Sequence, residues 1–118
     1  PDVEIQFVRA RLSGAGGEGA GETWSFDVTV THPDTGWEDY VDGWHVETAD
    51  GAILGTRILL HPHVGEQPFT RSLGNVAVPE AIDEVIVRPH DLVSGYGPAD
   101  FVVPLAEAGQ SERYEVVR

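Results

Sequence analysis

The segment "DGWHVETADGAILGTRILL", residues 42–60, contains two β-rich runs on either side of Asp50-Gly51. Asp-Gly is a preferred pair for a two-residue type I′ hairpin turn, because both turn positions need positive φ angles. A hairpin centred on this pair places three residue pairs opposite each other: Thr48 and Ile53, Val46 and Gly55, and Trp44 and Arg57. The segment therefore predicts two adjacent antiparallel strands in the middle of the chain.

The segments before and after this hairpin also show β periodicity. In "ETWSFDVTVTH", residues 22–32, apolar side chains alternate with polar ones at every second position, which is typical of a half-buried strand. The same alternation begins at Val3, Ile5 and Phe7, and further strands are predicted in "FTRSLGNVAVP", "EVIVRPHD", "ADFVVPL" and "RYEVVR". Strands and turns at this spacing predict an all-β fold, a single antiparallel sandwich of about seven to eight strands.

The length of the chain predicts one domain, residues 1–118. With 118 residues, of which 41% are hydrophobic, the chain can bury a modest core without disulfides. The glycine-rich stretch "SGAGGEGAGE", residues 13–22, predicts a long, mobile hairpin loop between two strands of this domain. It does not predict a phosphate-binding loop, because no helical pattern follows it and the chain has no lysine.

The charge of the chain excludes several classes of function. Asp and Glu number 20 against 7 basic residues, all of them arginine, so the net charge is −13. This balance argues against nucleic acids and anionic membrane surfaces, and it favours cations or a basic partner. Without lysine there is no Schiff-base chemistry, and without cysteine there is no thiolate nucleophile or thiolate zinc site.

The first residue is Pro1 rather than methionine. We therefore expect this not to be a complete translated reading frame, and a removed export signal fits this beginning. No apolar run approaches the ~20 residues of a membrane helix, so no membrane span is expected in this chain. These observations predict a periplasmic or secreted protein.

The central hairpin carries the pattern W-x-V-x-x-x-D-G-x-x-L, at Trp44, Val46, Asp50, Gly51 and Leu54. It resembles the middle hairpin of immunoglobulin-like and fibronectin-III-like domains of exported bacterial proteins. The resemblance implies an immunoglobulin-like sandwich with an adhesion, carbohydrate-accessory, metal-carrying or spacer role, although the Cys…Cys pair of antibody domains is absent. The segment "HPHVGEQPFTRSL", residues 61–73, also resembles part of an uncharacterised bacterial family. No particular activity follows from this resemblance.

His61-Pro62-His63 is a candidate metal-binding arm. Residues i and i+2 of an extended segment project to the same side, and the proline favours that conformation. Two imidazoles can then converge on Zn(II) or Cu(II), with His90 or Glu66 as a third ligand. The alternative is that both histidines lie where a strand passes into a loop and form local hydrogen bonds.

The loop "HPDTGWEDYVDGW", residues 32–44, is a second candidate site. Its carboxylates, from Asp34, Glu38, Asp39 and Asp42, are suited to calcium, although their spacing is not that of an EF-hand. Its aromatic rings, Trp37, Tyr40 and Trp44, would suit a sugar or a peptide if exposed. The alternatives are a solvated acidic loop and aromatic residues that belong to the core.

Catalysis has little support in the sequence. No Gly-x-Ser-x-Gly nucleophile elbow is present, and no pair of carboxylates is distinguished from the others. The sequence therefore predicts a non-catalytic binding or structural module of an exported bacterial protein, with an unknown protein or small-molecule partner. A Zn or Cu protein that uses the His-Pro-His arm is the first alternative, and a calcium-stabilised adhesion or carbohydrate-accessory domain is the second.

Overall fold

The computed structural model describes residues 3–15 and 21–118 of the chain. Within these ranges the regular structure consists of ten β-strands, and there is no helix long and apolar enough to cross a membrane. The strands are β1 (Glu4–Ala15), β2 (Glu22–Thr31), β3 (Val41–Glu47), β4 (Ile53–Ile58), β5 (Phe69–Val78), β6 (Glu84–Asp91), β7 (Gly95–Tyr96), β8 (Phe101–Pro104), β9 (Gly109–Gln110) and β10 (Tyr114–Val117).

The strands form two sheets. The first has the order β5-β2-β1-β10-β9, and the second has the order β4-β3-β6-β7, with β8 also paired to β6. All pairs are antiparallel except β1 and β10, which run parallel. The all-β prediction is confirmed, but the structure differs from the predicted seven to eight antiparallel strands. The described residues form ten strands, and two-residue strands such as β7 and β9 are too short to show a period in the sequence. The first sheet is also mixed.

One hydrophobic core is shared by the two sheets. In β2 every second side chain is buried, as the alternation predicts, and Trp24, Phe26 and Val28 have no exposed surface. The second sheet adds buried side chains from β3, β6 and β8 to the same cluster, among them Trp44, Val46, Val85, Val87 and Val103. Burial of these large apolar groups is the main term that stabilises the fold.

Strand β1 departs from its predicted phase. Irregularities in its pairing with β2 lie between Ile5 and Phe7 and between Leu12 and Gly14. The first of these shifts the side-chain alternation by one position, so that Val8 and Ala10 are buried and Phe7 is only half-buried. Sequence alternation alone does not show where such an irregularity occurs.

The central hairpin forms with a different turn from the predicted one. Trp44 pairs with Arg57 and Val46 with Gly55, as predicted, whereas Ile53 pairs with Glu47 rather than with Thr48. The backbone N–H of Thr48 donates to the carbonyl of Ala52, so the turn has three residues, and among them only Gly51 has a positive φ, of 92°.

The Thr48 side chain explains the longer turn. Its hydroxyl donates to the Asp50 carboxylate and accepts from the backbone N–H of Ala52. The same hydrogen bond from Thr48 lowers the pKa of Asp50 below its ordinary value.

The predicted hairpin between the first two strands is present, since Ala15 pairs with Glu22. The centre of its glycine-rich loop, residues 16–20, lies outside the described ranges.

Three connections meet at one end of the sandwich. They are the β2–β3 connection (residues 32–40), the β4–β5 connection (residues 59–68) and the β6–β7 turn (residues 92–94). The backbone N–H of His63 donates to the Asp34 carboxylate, and that of Leu92 donates to the carbonyl of Tyr40. These hydrogen bonds bring together residues that are distant in the sequence, and the candidate site lies at this end.

Candidate metal centre

Three ligand atoms converge at this end of the sandwich: His32 Nε2, Asp39 Oδ1 and Asp91 Oδ2. The imidazole nitrogen lies 3.6 Å from the Asp39 oxygen and 3.9 Å from the Asp91 oxygen. The exposed fractions of the three side chains are 0%, 16% and 1%, and none of the three atoms has a hydrogen-bond partner within the described ranges. Hydrogen bonds of this kind need about 2.7–3.2 Å, so these atoms do not satisfy one another.

Strand ends and turns position the three side chains. His32 directly follows β2, and Asp91 is the last residue of β6. The other oxygen of Asp91 accepts from the backbone N–H groups of Val93 and Ser94 at 3.0 and 2.7 Å, which orients its Oδ2 toward His32. Asp39 is held by a small turn, in which its backbone bridges to Gly36.

Asp34 orients the imidazole of His32. Its Oδ1 lies 2.6 Å from His32 Nδ1, and both side chains are fully buried. A neutral histidine that donates Nδ1–H to this carboxylate carries its lone pair on Nε2, which is the nitrogen that faces Asp39 and Asp91. Carboxylate–histidine pairs of this kind are the usual support of a metal-ligating imidazole.

The ligand set and its dimensions suit zinc. Zinc accepts imidazole and carboxylate ligands at 2.0–2.1 Å, so two ligand atoms at the tetrahedral angle are separated by roughly 3.3–3.4 Å. The two nitrogen–oxygen separations in the structure, 3.6 and 3.9 Å, are only a few tenths of an ångström longer. Calcium takes six to eight oxygen ligands, and an imidazole nitrogen does not belong to that set. A bound ion would also give a partner to three buried polar atoms, each of which otherwise costs about 1–3 kcal/mol.

The structure places the predicted His-Pro-His arm beside this group and not in it. The rings of His61 and His63 lie 4.7 Å apart, as the i, i+2 argument expects. His63 stacks on Phe69 with 4.0 Å between ring centroids, and its Nε2 lies 2.8 Å from the Arg71 guanidinium. A guanidinium in this position donates to the nitrogen that would otherwise bind a metal.

The other two predicted ligands lie elsewhere. Glu66 is exposed, and His90 faces outward from β6 with its Nδ1 2.5 Å from Asp42. Among residues 3–15 and 21–118, the group of three ligand atoms within 4.8 Å of one another is His32, Asp39 and Asp91. The arm of His61 and His63 stays a prediction for which the structure shows no third ligand.

The His-Pro-His loop has a visible structural role. The backbone N–H of His63 donates to Asp34 Oδ2 at 2.8 Å. The Gln67 side chain accepts from the backbone N–H of His32 and donates to the carbonyl of His63, both at 3.0 Å. The loop therefore holds Asp34, and Asp34 in turn orients His32. His61, whose ring lies beside that of His63, is exposed.

The environment of His63 predicts a measurable titration. Burial lowers the pKa of His63 from 6.5, and the positive charge of Arg71 lowers it further. Native His63 therefore binds a proton less readily than unfolded His63. The free energy of unfolding is highest above pH 6.5, and the contribution of His63 is lost as the pH falls from 6.5 through the pKa of the native ring. A nuclear magnetic resonance titration of the ring should give a pKa below 6.5, and Arg71→Met should raise it. Arg11→Met, which removes a guanidinium from the surface, should leave it unchanged, and a wild-type value above 6.5 would contradict the assignment.

The acidic loop proposed for calcium sends its carboxylates in different directions. Asp34 and Asp39 point toward His32, Asp42 contacts His90, and Glu38 is exposed. The aromatic residues of the same loop also separate: Trp44 belongs to the core, and Trp37 is exposed with its ring 5.7 Å from that of Tyr40.

Two members of the group, His32 and Asp91, were not identified from the sequence as ligands. A signal for both is nevertheless present in the β periodicity. His32 occupies the next inward position after Trp24, Phe26, Val28 and Val30, and Asp91 follows Val85, Val87 and Pro89 in the same way. A histidine and an aspartate in phase with buried apolar residues need buried partners, and this requirement indicates a site.

Comparison with known proteins adds one relative. No family model and no solved structure matches the chain. The chain is 44% identical over 100 residues to a protein of Halomicrobium mukohataei that carries the description "Putative lipoprotein". The matched region is 85% of this chain and 47% of that protein, so the chain spans about half the length of the relative it matches. This chain is thus similar to one part of a longer protein.

Proposed function

We propose that this domain is a non-catalytic structural or binding module of an exported protein, and that it binds one Zn(II) ion through His32, Asp39 and Asp91. The observation that carries the proposal is the convergence of three buried ligand atoms that lack hydrogen-bond partners within the described part of the chain. Such atoms are rare in folded proteins and call for a specific explanation.

The position of the group supports a structural role for the ion. His32 extends the first sheet beyond β2, and Asp91 ends β6 of the second sheet. An ion held by both residues joins the two sheets at one end of the core, and Asp39 adds the β2–β3 connection. Three protein ligands leave a fourth tetrahedral position for water or another oxygen, and the low exposure of the His32 and Asp91 side chains, 0% and 1%, favours a structural role.

The relative supports a place outside the cytoplasm. It carries the description "Putative lipoprotein", which fits an exported protein of the cell envelope. Because the chain matches only part of that relative, the proposal concerns this domain and not the activity of a whole protein.

The strand order supports an immunoglobulin-like assignment of the fold. Immunoglobulin domains place strands A, B and E in one sheet and strands C, F and G in the other, and C′ joins the second sheet in the variable type. Here β1, β2 and β5 share the first sheet, while β3, β4, β6 and β8 share the second. The strands correspond in order, and the parallel strand β10 is the main addition.

Zinc titration calorimetry tests the proposed function. The wild-type protein should bind Zn(II) at its tightest site with one-to-one stoichiometry, and X-ray absorption should show one imidazole nitrogen among oxygen ligands. Asp91→Asn removes a charged ligand, and it should weaken that site by more than the roughly 10–100-fold that a change in supporting residues produces.

Asp27→Asn is the matched control, because Asp27 is a surface carboxylate that contacts Arg11 and Ser72. This variant should bind zinc as the wild type does. If Asp91→Asn and Asp27→Asn give the same titration curve as the wild type, the His32 group does not bind zinc. Loss of the site in both variants would assign the binding to the general surface charge and would also overturn the proposal.

A further inference from the structure

The outer face of the second sheet carries a cleft of about 250 Å³. It is lined by residues of β3, β4, β6 and β7, among them His45, Thr56, Ile58, His90 and Tyr96. Gly43 contributes no side chain to this face, and it pairs directly with His90 on the neighbouring strand. The cleft is separate from the group at His32, because it lies on the face of β6 opposite to the one that carries Asp91.

Both histidines of the cleft are supported by carboxylates. His45 Nε2 lies 2.8 Å from Glu47, and His90 Nδ1 lies 2.5 Å from Asp42. Each imidazole that donates to its carboxylate keeps a lone pair on its other nitrogen, His45 Nδ1 or His90 Nε2. Neither of these two nitrogens has a hydrogen-bond partner within residues 3–15 and 21–118. His45 is 3% exposed, so its ring is fixed by packing as well as by Glu47.

The sheet places the two imidazoles as neighbours. His90 of β6 lies opposite Gly43 of β3. His45 follows Gly43 by two residues in β3, so it lies on the same face of the sheet as His90. Such diagonal neighbours have Cα atoms about 7–8 Å apart and somewhat closer Cβ atoms, within reach of long side chains. Both rings also contact the ring of Tyr96, with centroids 4.9 and 4.6 Å from it.

Charge and size favour a cation as the ligand. The carboxylates of Asp42 and Glu47 contact the imidazoles, and they outnumber the one guanidinium beside them, that of Arg88, which donates to the carbonyl of Gly97 and lies over the Tyr96 ring. The protein also has a net charge of −13, which disfavours an anion. The cleft is smaller than the roughly 300–1,000 Å³ of sites that hold drug-sized organic molecules. An imidazole whose opposite nitrogen donates to a carboxylate is a typical ligand of a transition metal.

We propose that His45 and His90 form a second metal site, open to solvent, that takes Cu(II). Imidazole nitrogen suits this ion, and among the divalent ions of the first transition series Cu(II) has the highest affinity for nitrogen sites. Two imidazoles occupy two positions of its tetragonal geometry, and water occupies positions that face the cleft. The site differs from the enclosed His32 group in its two imidazoles and in its access to solvent.

Electron paramagnetic resonance of the full chain with one equivalent of Cu(II) tests this site. The wild-type spectrum should show hyperfine coupling to two imidazole nitrogens. His90→Gln, a change at a half-exposed position, should remove one nitrogen and weaken Cu(II) binding at least tenfold in a competition titration. His45→Gln should do the same, and its circular dichroism spectrum will show whether this more buried variant folds.

His61→Gln is the matched control, because His61 is an exposed histidine outside the cleft. It should leave the copper spectrum unchanged. An unchanged spectrum in His90→Gln would overturn the proposal, and so would loss of the signal in His61→Gln, which would assign copper to the His-Pro-His arm. The outcome is independent of the zinc experiment, since Asp91→Asn leaves both cleft histidines in place.

Discussion

Replacement of Asp34 by alanine should destabilise the domain by about 3–5 kcal/mol, because three buried donors would lose their acceptor at once. The carboxylate accepts from the His32 ring and from the backbone N–H groups of Val41 and His63. A buried donor without a partner costs about 1–3 kcal/mol, and the small cavity left by the side chain adds to that cost. Urea denaturation, followed by tryptophan fluorescence, would measure the loss as a shift of the midpoint.

Asp27→Ala is the control for this experiment. Asp27 also accepts two hydrogen bonds, but from the exposed side chains of Arg11 and Ser72. Water can replace these contacts, so the expected change is within about 0.5–1 kcal/mol. Equal losses in Asp34→Ala and Asp27→Ala would mean that Asp34 does not hold the β2–β3 and β4–β5 connections together. The zinc affinity of Asp34→Ala should also fall, since the His32 imidazole loses its orienting partner.

Zinc itself should stabilise the native state by about 2.7 kcal/mol at a free concentration 100 times the dissociation constant. The ion binds residues that come together only in the folded chain, so its binding free energy adds to the free energy of unfolding. For a domain of about this size, each kcal/mol raises the Tm by roughly 4–8 °C, so the expected increase is on the order of 10 °C or more. Thermal unfolding with and without zinc would measure it, and a chelator should reverse it.

Asp91→Asn separates this effect from weak binding to the acidic surface. The variant keeps almost the whole net charge of the protein but loses one of the three converging ligands. Its Tm should respond little to zinc. An increase as large as that of the wild type would show that zinc stabilises the protein through carboxylates elsewhere.

The regular parts of the fold could be predicted from the sequence because each depends on local periodicity. The alternation in β2 and the strand pairs Trp44–Arg57 and Val46–Gly55 follow directly from residue types and spacing. The differences arise at local irregularities that the periodicity of the sequence does not encode. Thr48 lengthens the central turn by one residue, and the irregularity near Phe7 shifts the phase of β1.

The candidate site was less accessible to sequence analysis, because its members are close only in the folded chain. The His-Pro-His segment has a spacing that suggests a metal, yet Arg71, from the following strand, donates to the ring of His63. His32 and Asp91 lie in separate segments without a motif. The sequence does show that both residues continue the inward-facing alternation of a strand. This pattern indicates that each polar side chain needs a buried partner, but it does not identify that partner.

The parallel pairing of β1 with β10 also has a mechanical consequence. Residues 8–11 run alongside residues 114–117 in the same direction, so the beginning of β1 and the end of β10 point toward opposite ends of the sandwich. Tension applied at these two points acts along the strands and loads the hydrogen bonds between them in shear, all at the same time. An antiparallel hairpin pulled by its two ends opens one hydrogen bond after another instead. The first and last strands are therefore arranged as a clamp that resists extension of the chain.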